Sequence, residues 1–225
     1  MNYLSHAYLH LDNPYFAAGT GLPDWMSVID RKNRARRQYA LPVTEHDDPV
    51  FSAFAKGCVQ HHTDDFWFHQ CPRFVSMSTQ FAVELREILE KGLGHQAGFA
   101  GHIIVELLLD SVLCERDPGL LDRYYDNLRS LDVERLEAAT NEICRKPVDK
   151  ITVLVPRFIE ERFLADYGDD EKLLWRLNGV MRRIGLPLLP PPVAKWLASA
   201  RISVREHADE LLTPPEGQLH GSPSS

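Results

Sequence analysis

The chain has 225 residues, 44% of them hydrophobic and 25% charged, with a formal net charge of −7. This is the composition of an ordinary globular protein, long enough to bury a core without disulfide support, and its acidic balance argues against broad nucleic-acid binding. The four cysteines, Cys58, Cys71, Cys114 and Cys144, are widely spaced and form no C-x-x-C, so they read as reduced thiols rather than a zinc-thiolate site.

The opening M-N-Y-L-S-H-A-Y-L-H lacks the basic start of a signal peptide, and no stretch approaches the ~20 apolar residues of a membrane span. The expected location is the cytoplasm, with no membrane contact. Residues 3–11 place apolar groups at mostly helical spacing, and Asn13-Pro14 either breaks this pattern or starts a new helix. In A-A-G-T-G-L-P-D-W-M the two glycines suit a close backbone approach or a turn before Asp24, for which a cap or turn role is an adequate account. R-K-N-R-A-R-R follows, with Arg31, Lys32, Arg34, Arg36 and Arg37 uninterrupted by any acidic residue. It reads as a solvated loop or helix face, or as a docking patch for an acidic partner or a phosphate group.

Residues 39–49, rich in Pro, Thr, His and Asp, are expected to form a loop, and Asp48-Pro49 to start a helix. One helix or two broken ones should run from Val50 to about Gln70, where Pro72 interrupts. The spacing of Phe81, Leu85, Ile88 and Leu89 predicts an amphipathic helix over 74–93, ended by Gly92 and Gly94. Ala97 to Cys114, too short and too acidic for a membrane span, reads as a central buried helix. Further helices are expected over 118–130, 132–144, 149–166 and 169–184. After them L-P-L-L-P-P-P makes a stiff break, a last helix spans 193–212, and a disordered tail occupies 213–225. Only I-T-V-L-V at 151–155 is β-branched enough to compete as a strand, and it has no alternating partner. The fold is therefore expected to be all-α, a single helical domain over 1–212.

On this frame three pairs of metal-ligand residues fall four apart: His6 and His10, His61 and Asp65, His102 and Glu106. An i, i+4 pair shares one helical face, and two such runs continue for another turn, to His69 and to Asp110. The stripe His102-Glu106-Asp110 lies on an otherwise apolar helix. Burying its carboxylates without partners is costly, so the stripe calls for a metal ion, a buried ion-pair network with Arg or Lys, or a water-filled cleft. In H-H-T-D-D, His61 and Asp65 share a face, while His62 and Asp64 are expected to turn to solvent. Structural satisfaction of a core histidine competes for His6, and simple solvent exposure for His10. No nucleophile elbow, Walker loop or dinucleotide fingerprint is present.

These residues resemble a family. M-N-Y-L-S-H looks like the M-N-[FY]-L-A-H opening of bacterial acyl carrier protein phosphodiesterases, and G-T-G-L-P-D-W like their G-N-x-x-x-D-[FW] segment. G-C-V-Q-H-H-T-D-D-F-W-F-H is similar to G-[IV]-x-x-H-R-x-[IV]-D-x-x-[TS]-D, and G-H-I-I-V-E-L-L-L-D to the helix carrying D-x-x-x-D-H. The match covers roughly the first half. His61 and Asp65 fall on the family's histidine and first aspartate. His69 and His102 stand at aspartate positions, Glu106 at a second aspartate, and Leu107 replaces a histidine.

The resemblance implies an HD-like helical fold and hydrolysis of the phosphodiester that joins 4′-phosphopantetheine to a carrier-protein serine. It implies a metal held by His6, His61, Asp65, His102 and Glu106, with His69 and Asp110 as possible additional ligands and Asp24 or Glu106 as general base. Exchanging carboxylates for imidazoles favours Mn, Fe or Zn over Mg. Arg31 to Arg37 would dock the acidic carrier. The rival readings are a non-catalytic helical binding protein and a metallohydrolase with another phosphate or ester substrate.

Overall fold

The computed structural model describes residues 1–89 and 94–214. Within them the chain is all-α, with no strand. The helices are α1 (Tyr3–Ala7), α2 (Pro14–Ile29), α3 (Arg37–Val43), α4 (Pro49–Phe68), α5 (Pro72–Ile88), α6 (Gly94–Arg116), α7 (Leu120–Arg129), α8 (Val133–Ile143) and α9 (Ile151–Glu161). A 3-10 helix (Phe163–Gly168), α10 (Asp170–Ile184), α11 (Pro192–Glu206) and α12 (Ala208–Leu212) complete it.

Helix starts follow local chemistry. Asn13 accepts from the Phe16 amide at 3.1 Å with Pro14 in the first helical position, and Asp48 accepts from the Val50 amide at 2.9 Å ahead of Pro49. Asp169 caps α10 through the Glu171 and Lys172 amides, and Gly185, at φ 78°, ends it in the left-handed conformation that costs glycine nothing.

Several boundaries differ from expectation. The 39–49 segment is not all loop: α3 occupies Arg37–Val43, with Pro42 near its end, where few hydrogen bonds are lost. The first helix closes at Ala7, short of the expected residue 11. Of the two alternatives for the glycines of A-A-G-T-G, the turn is absent, since α2 runs straight through them, and the close backbone approach is present, at Gly19 against α4. Pro72 opens α5 as its first residue, α5 ends at Ile88, and Gly94 starts α6 rather than ending a helix. Gly92 and the tail from residue 215 lie outside the described residues. I-T-V-L-V is the first turn and more of α9, its branched side chains packed inward at Ile151 and Val155.

The chain divides into two compact units, each assembled from separate segments. The α2–α4 unit comprises Tyr3–Phe66 and Pro118–Arg162. In it α2 and α4 meet at Gly19 and Gly57, where a Cβ on either would run into the carbonyl oxygen of Phe54 or Phe16. Only hydrogen at both positions permits so close a crossing. Trp25, Phe54, Tyr124 and Tyr125 are 0–1% exposed, and Phe158 takes Tyr3 (4.9 Å), Tyr125 (5.8 Å) and Trp25 (5.9 Å) around its ring. Each such side chain contributes about 1.5–3 kcal/mol on burial.

The α5–α6 unit comprises Met1–Asn2, Trp67–Asp117 and the chain from Phe163 onward. Helix α6 packs along α5 through Gly101, where a Cβ would fall 2.7 Å from the Ser78 carbonyl oxygen and 2.8 Å from the Ala82 nitrogen. The 3-10 helix and α11 also pack on α6. Arg201 of α11, buried, donates to Ser111 of α6 and to Asp170 of α10 at 2.6 Å. By length and hydropathy α6, at 23 residues, could cross a membrane, which is longer than the sequence suggested, but 72% of its apolar window is buried inside the protein and it carries Glu106 and Asp110.

Candidate metal centre

His6, His61 and Asp65 converge inside the α2–α4 unit, their ligand atoms all within 4.8 Å of one another. His6 comes from α1, and His61 and Asp65 lie one turn apart on α4. The close α2–α4 crossing sets α4 in place, and the two imidazoles stack at 4.2 Å between centroids, 28° apart in plane.

Each ring is held from behind. His6 Nδ1 lies 3.1 Å from Asp64 Oδ2, whose other oxygen accepts from Gln60 at 2.7 Å. His61 Nδ1 donates to the Thr20 carbonyl oxygen at 2.8 Å, an acceptor that fixes the proton on Nδ1. Both Nε2 atoms then face Asp65: His6 Nε2 is 3.4 Å from Oδ1 and His61 Nε2 is 3.4 Å from Oδ2. His6 Nε2 is buried and makes no hydrogen bond.

These spacings suit an ion. Three corners of a tetrahedron with bonds of ~2.1 Å stand roughly 3.4 Å apart. An imidazole whose second nitrogen is tied to a carboxylate or a carbonyl is the usual outer arrangement of a metal-ligating histidine. Without metal, His6 and Asp65 form a charged pair. Burial lowers the His6 pKa, but Asp64 and Asp65 outweigh it and hold it at about 9. Burial pushes the Asp65 carboxyl up, yet His6 and His61 together draw it far below the usual carboxylate range.

His69, His102 and Glu106 form a second group, inside the α5–α6 unit. His69 follows the end of α4, and His102 and Glu106 lie one turn apart on α6. Glu106 Oε1 is 3.0 Å from His69 Nε2 and 3.1 Å from His102 Nε2. Burial raises the Glu106 pKa, while the N-terminal ammonium at 3.5 Å and the two histidines bring it down to about 2.

The remaining expected residues lie elsewhere. Asp24 sits half-buried in the middle of α2 and belongs to neither ligand group, and no turn exists there for it to cap. Asp110 is fully buried and accepts from Asn2 at 2.8 Å. His10 lies beyond α1, packed on Phe16 at 4.4 Å rather than facing solvent, and burial lowers its pKa. Asp64, expected in solvent, is instead buried against His6, because the i, i+3 offset puts it on the same face as His61. His62 also turns inward, Nε2 donating to the Ala35 carbonyl at 2.8 Å. The Thr20 carbonyl carries no signal in the sequence, being a backbone atom.

The basic run forms an anchored loop. Asn33 exchanges hydrogen bonds with the backbone of Lys146 (2.8 and 3.2 Å), and Ala35 is pinned by His62. Asn33 and Ala35 are buried while Arg31, Lys32, Arg34 and Arg36 are exposed and Arg37 is half-buried. The cysteines are free thiols, and burial pushes Cys114 up to about 12 and Cys144 to about 11, so both are held as neutral thiols in the metal-free protein. Comparison with models of known families, with curated proteins and with solved structures finds no match to this chain.

Proposed function

We propose that the chain is a metal-dependent hydrolase acting on phosphodiesters, of the kind its resemblance to acyl carrier protein phosphodiesterases implies, with His6, His61 and Asp65 holding the ion. The observation that carries this reading is the paired outer anchoring of the two imidazoles, which turns both Nε2 atoms onto one carboxylate at 3.4 Å. Two nitrogens and a carboxylate suit Mn, Fe or Zn better than Mg. Bound there, such an ion supplies a water acidified toward neutrality and a Lewis acid for a phosphoryl oxygen.

The residues divide the remaining work. Asp64 and Thr20 keep the His6 and His61 rings in the ligating orientation. Asp65, 31% exposed, is where the group meets solvent and therefore substrate. Asp24, one turn after Thr20 on the same face of α2, is the carboxylate outside the group to which the resemblance gives the role of general base. The exposed cations of the 31–36 loop would dock an acidic carrier protein, and the bond from His62 ties that loop to the residue next to His61.

The test is metal content and hydrolysis of holo-carrier protein for His61→Ala and Asp65→Ala, with folding followed by circular dichroism. Both variants should fold, lose the ion and lose activity. Full activity with unchanged metal in either one sinks the proposal.

One observation favours a second reading. The His6 and His61 side chains are 0% and 5% exposed, so an ion among them would be largely enclosed. An enclosed ion that only stabilises a helical binding protein would raise the melting temperature of the wild type, and no phosphodiester would be cleaved.

A further inference from the structure

We propose that His69, His102 and Glu106 are a second and independent binding site, open to solvent, for one divalent transition ion of the zinc, nickel or copper class. The proposal does not depend on the hydrolase reading, because these residues belong to the α5–α6 unit and share no ligand with the His6 group.

The two imidazoles come from different segments, yet both direct Nε2 to the same atom, Glu106 Oε1, at 3.0 and 3.1 Å. Neighbouring ligands of an octahedral ion with bonds of ~2.1 Å stand roughly 3.0 Å apart. The rings are preorganised. Phe74 stands edge-on to His102 at 4.9 Å and tilted against His69 at 5.2 Å, and Phe68 backs Phe74 at 4.5 Å. One aromatic side chain thus holds both imidazoles, which stand 4.9 Å apart.

Exposure grades across the group. The Glu106 side chain is 10% exposed, whereas His69 and His102 are 36% and 39% exposed. The carboxylate sits at the base and the imidazoles at the rim, so water can fill the remaining coordination positions. Two imidazoles with one carboxylate and open positions select borderline transition ions and disfavour Mg and Ca, which prefer all-oxygen shells. A bound ion would take the place of the contacts that each Nε2 now makes with Glu106 Oε1.

The experiment is titration of the full chain with Ni²⁺ and Cu²⁺ by calorimetry, with electron paramagnetic resonance of the Cu²⁺ form, for wild type, His61→Ala, His102→Gln and the double variant. His102→Gln keeps a donor to Glu106 and so preserves the fold, as a circular dichroism spectrum verifies. In the His61→Ala background one ion should still bind, its Cu²⁺ spectrum showing coupling to two nitrogens. Adding His102→Gln should weaken that ion tenfold or more and remove one nitrogen. Equal binding by His61→Ala and the double variant, or no ion in His61→Ala, overturns the proposal. Loss of an ion in His102→Gln with none lost in His61→Ala would uphold this site while removing the metal from the hydrolase reading.

Discussion

The Nδ1 atom of His6 and the Oδ2 atom of Asp64 lie 3.1 Å apart, joining α1 to α4 across 58 residues of sequence. The contact fixes the orientation of a buried ring and leaves its other nitrogen for Asp65 or for an ion. Removing the acceptor should therefore act through His6. We expect Asp64→Leu to weaken metal binding by ~10–100-fold, the usual loss for an outer partner of a ligating histidine. Asp64→Asn, which keeps an acceptor oxygen without the charge, should lose less. Competition against a chromophoric chelator measures both, and equal affinities in wild type and Asp64→Leu would remove Asp64 from the site.

Acidity gives a second prediction, for the metal-free chain. His6 has a folded pKa of about 9 against an ordinary value of 6.5. A raised histidine pKa means that protonation favours the folded state. Its contribution is complete below about pH 6.5 and disappears as pH rises through 9. Melting temperature in the presence of chelator should fall across that window, and His6→Gln should flatten the decline. Asp65 acts with the opposite sign: its lowered pKa supplies stability above about pH 4 that is lost on acidification. A melting temperature constant from pH 6 to 9.5 would show that His6 is not held protonated.

The α2–α4 crossing gives a third. A methyl at Gly57 would meet the Phe16 carbonyl oxygen, a backbone atom that cannot rotate away. Gly57→Ala should cost about 1–3 kcal/mol or more in urea unfolding and should loosen metal binding, since the helix carrying His61 must shift. Gly98→Ala, where a Cβ meets nothing within 4 Å, is the control and should leave stability nearly unchanged or slightly higher.

The basic loop gives a fourth. Lys32, Arg34 and Arg36 are exposed and enter no ion pair among the described residues. The double change Arg34→Glu, Arg36→Glu should alter stability by ~0.5 kcal/mol or less. If the loop docks an acidic carrier, KM for that carrier should rise with kcat retained, and its dependence on salt should shrink. An unchanged KM would leave the loop as a solvated surface.

The sequence was legible where one helix carries the information. Asn13, Asp48 and Pro49 mark their helix starts, and the four-residue spacings of His61 with Asp65 and of His102 with Glu106 survive intact because both pairs ride on long helices. What it hid depends on contacts between segments. Asp64 is held against an imidazole only because α1 brings His6 to it, and His61 is oriented by a backbone carbonyl that no residue type announces. The expected single ligand set is found as two groups in two units, a division made by long-range packing that the i, i+4 periodicity cannot express. The short α3 was missed because a proline in a seven-residue helix looks the same as a proline in a loop.

Segments of the two units alternate along the chain: the boundaries fall after Asn2, Phe66, Asp117 and Arg162. No single cut therefore releases either unit as a continuous polypeptide. During synthesis the α2–α4 unit is complete once Arg162 has left the ribosome, whereas the other must wait for the segment that begins at Phe163. A C-terminal deletion that stops at Phe163 removes part of the α5–α6 unit alone, leaving helices α5 and α6 translated but without α10, α11 and α12 of the same unit. Such fragments should be captured by chaperones or degraded, even though both histidine clusters are already encoded in what remains.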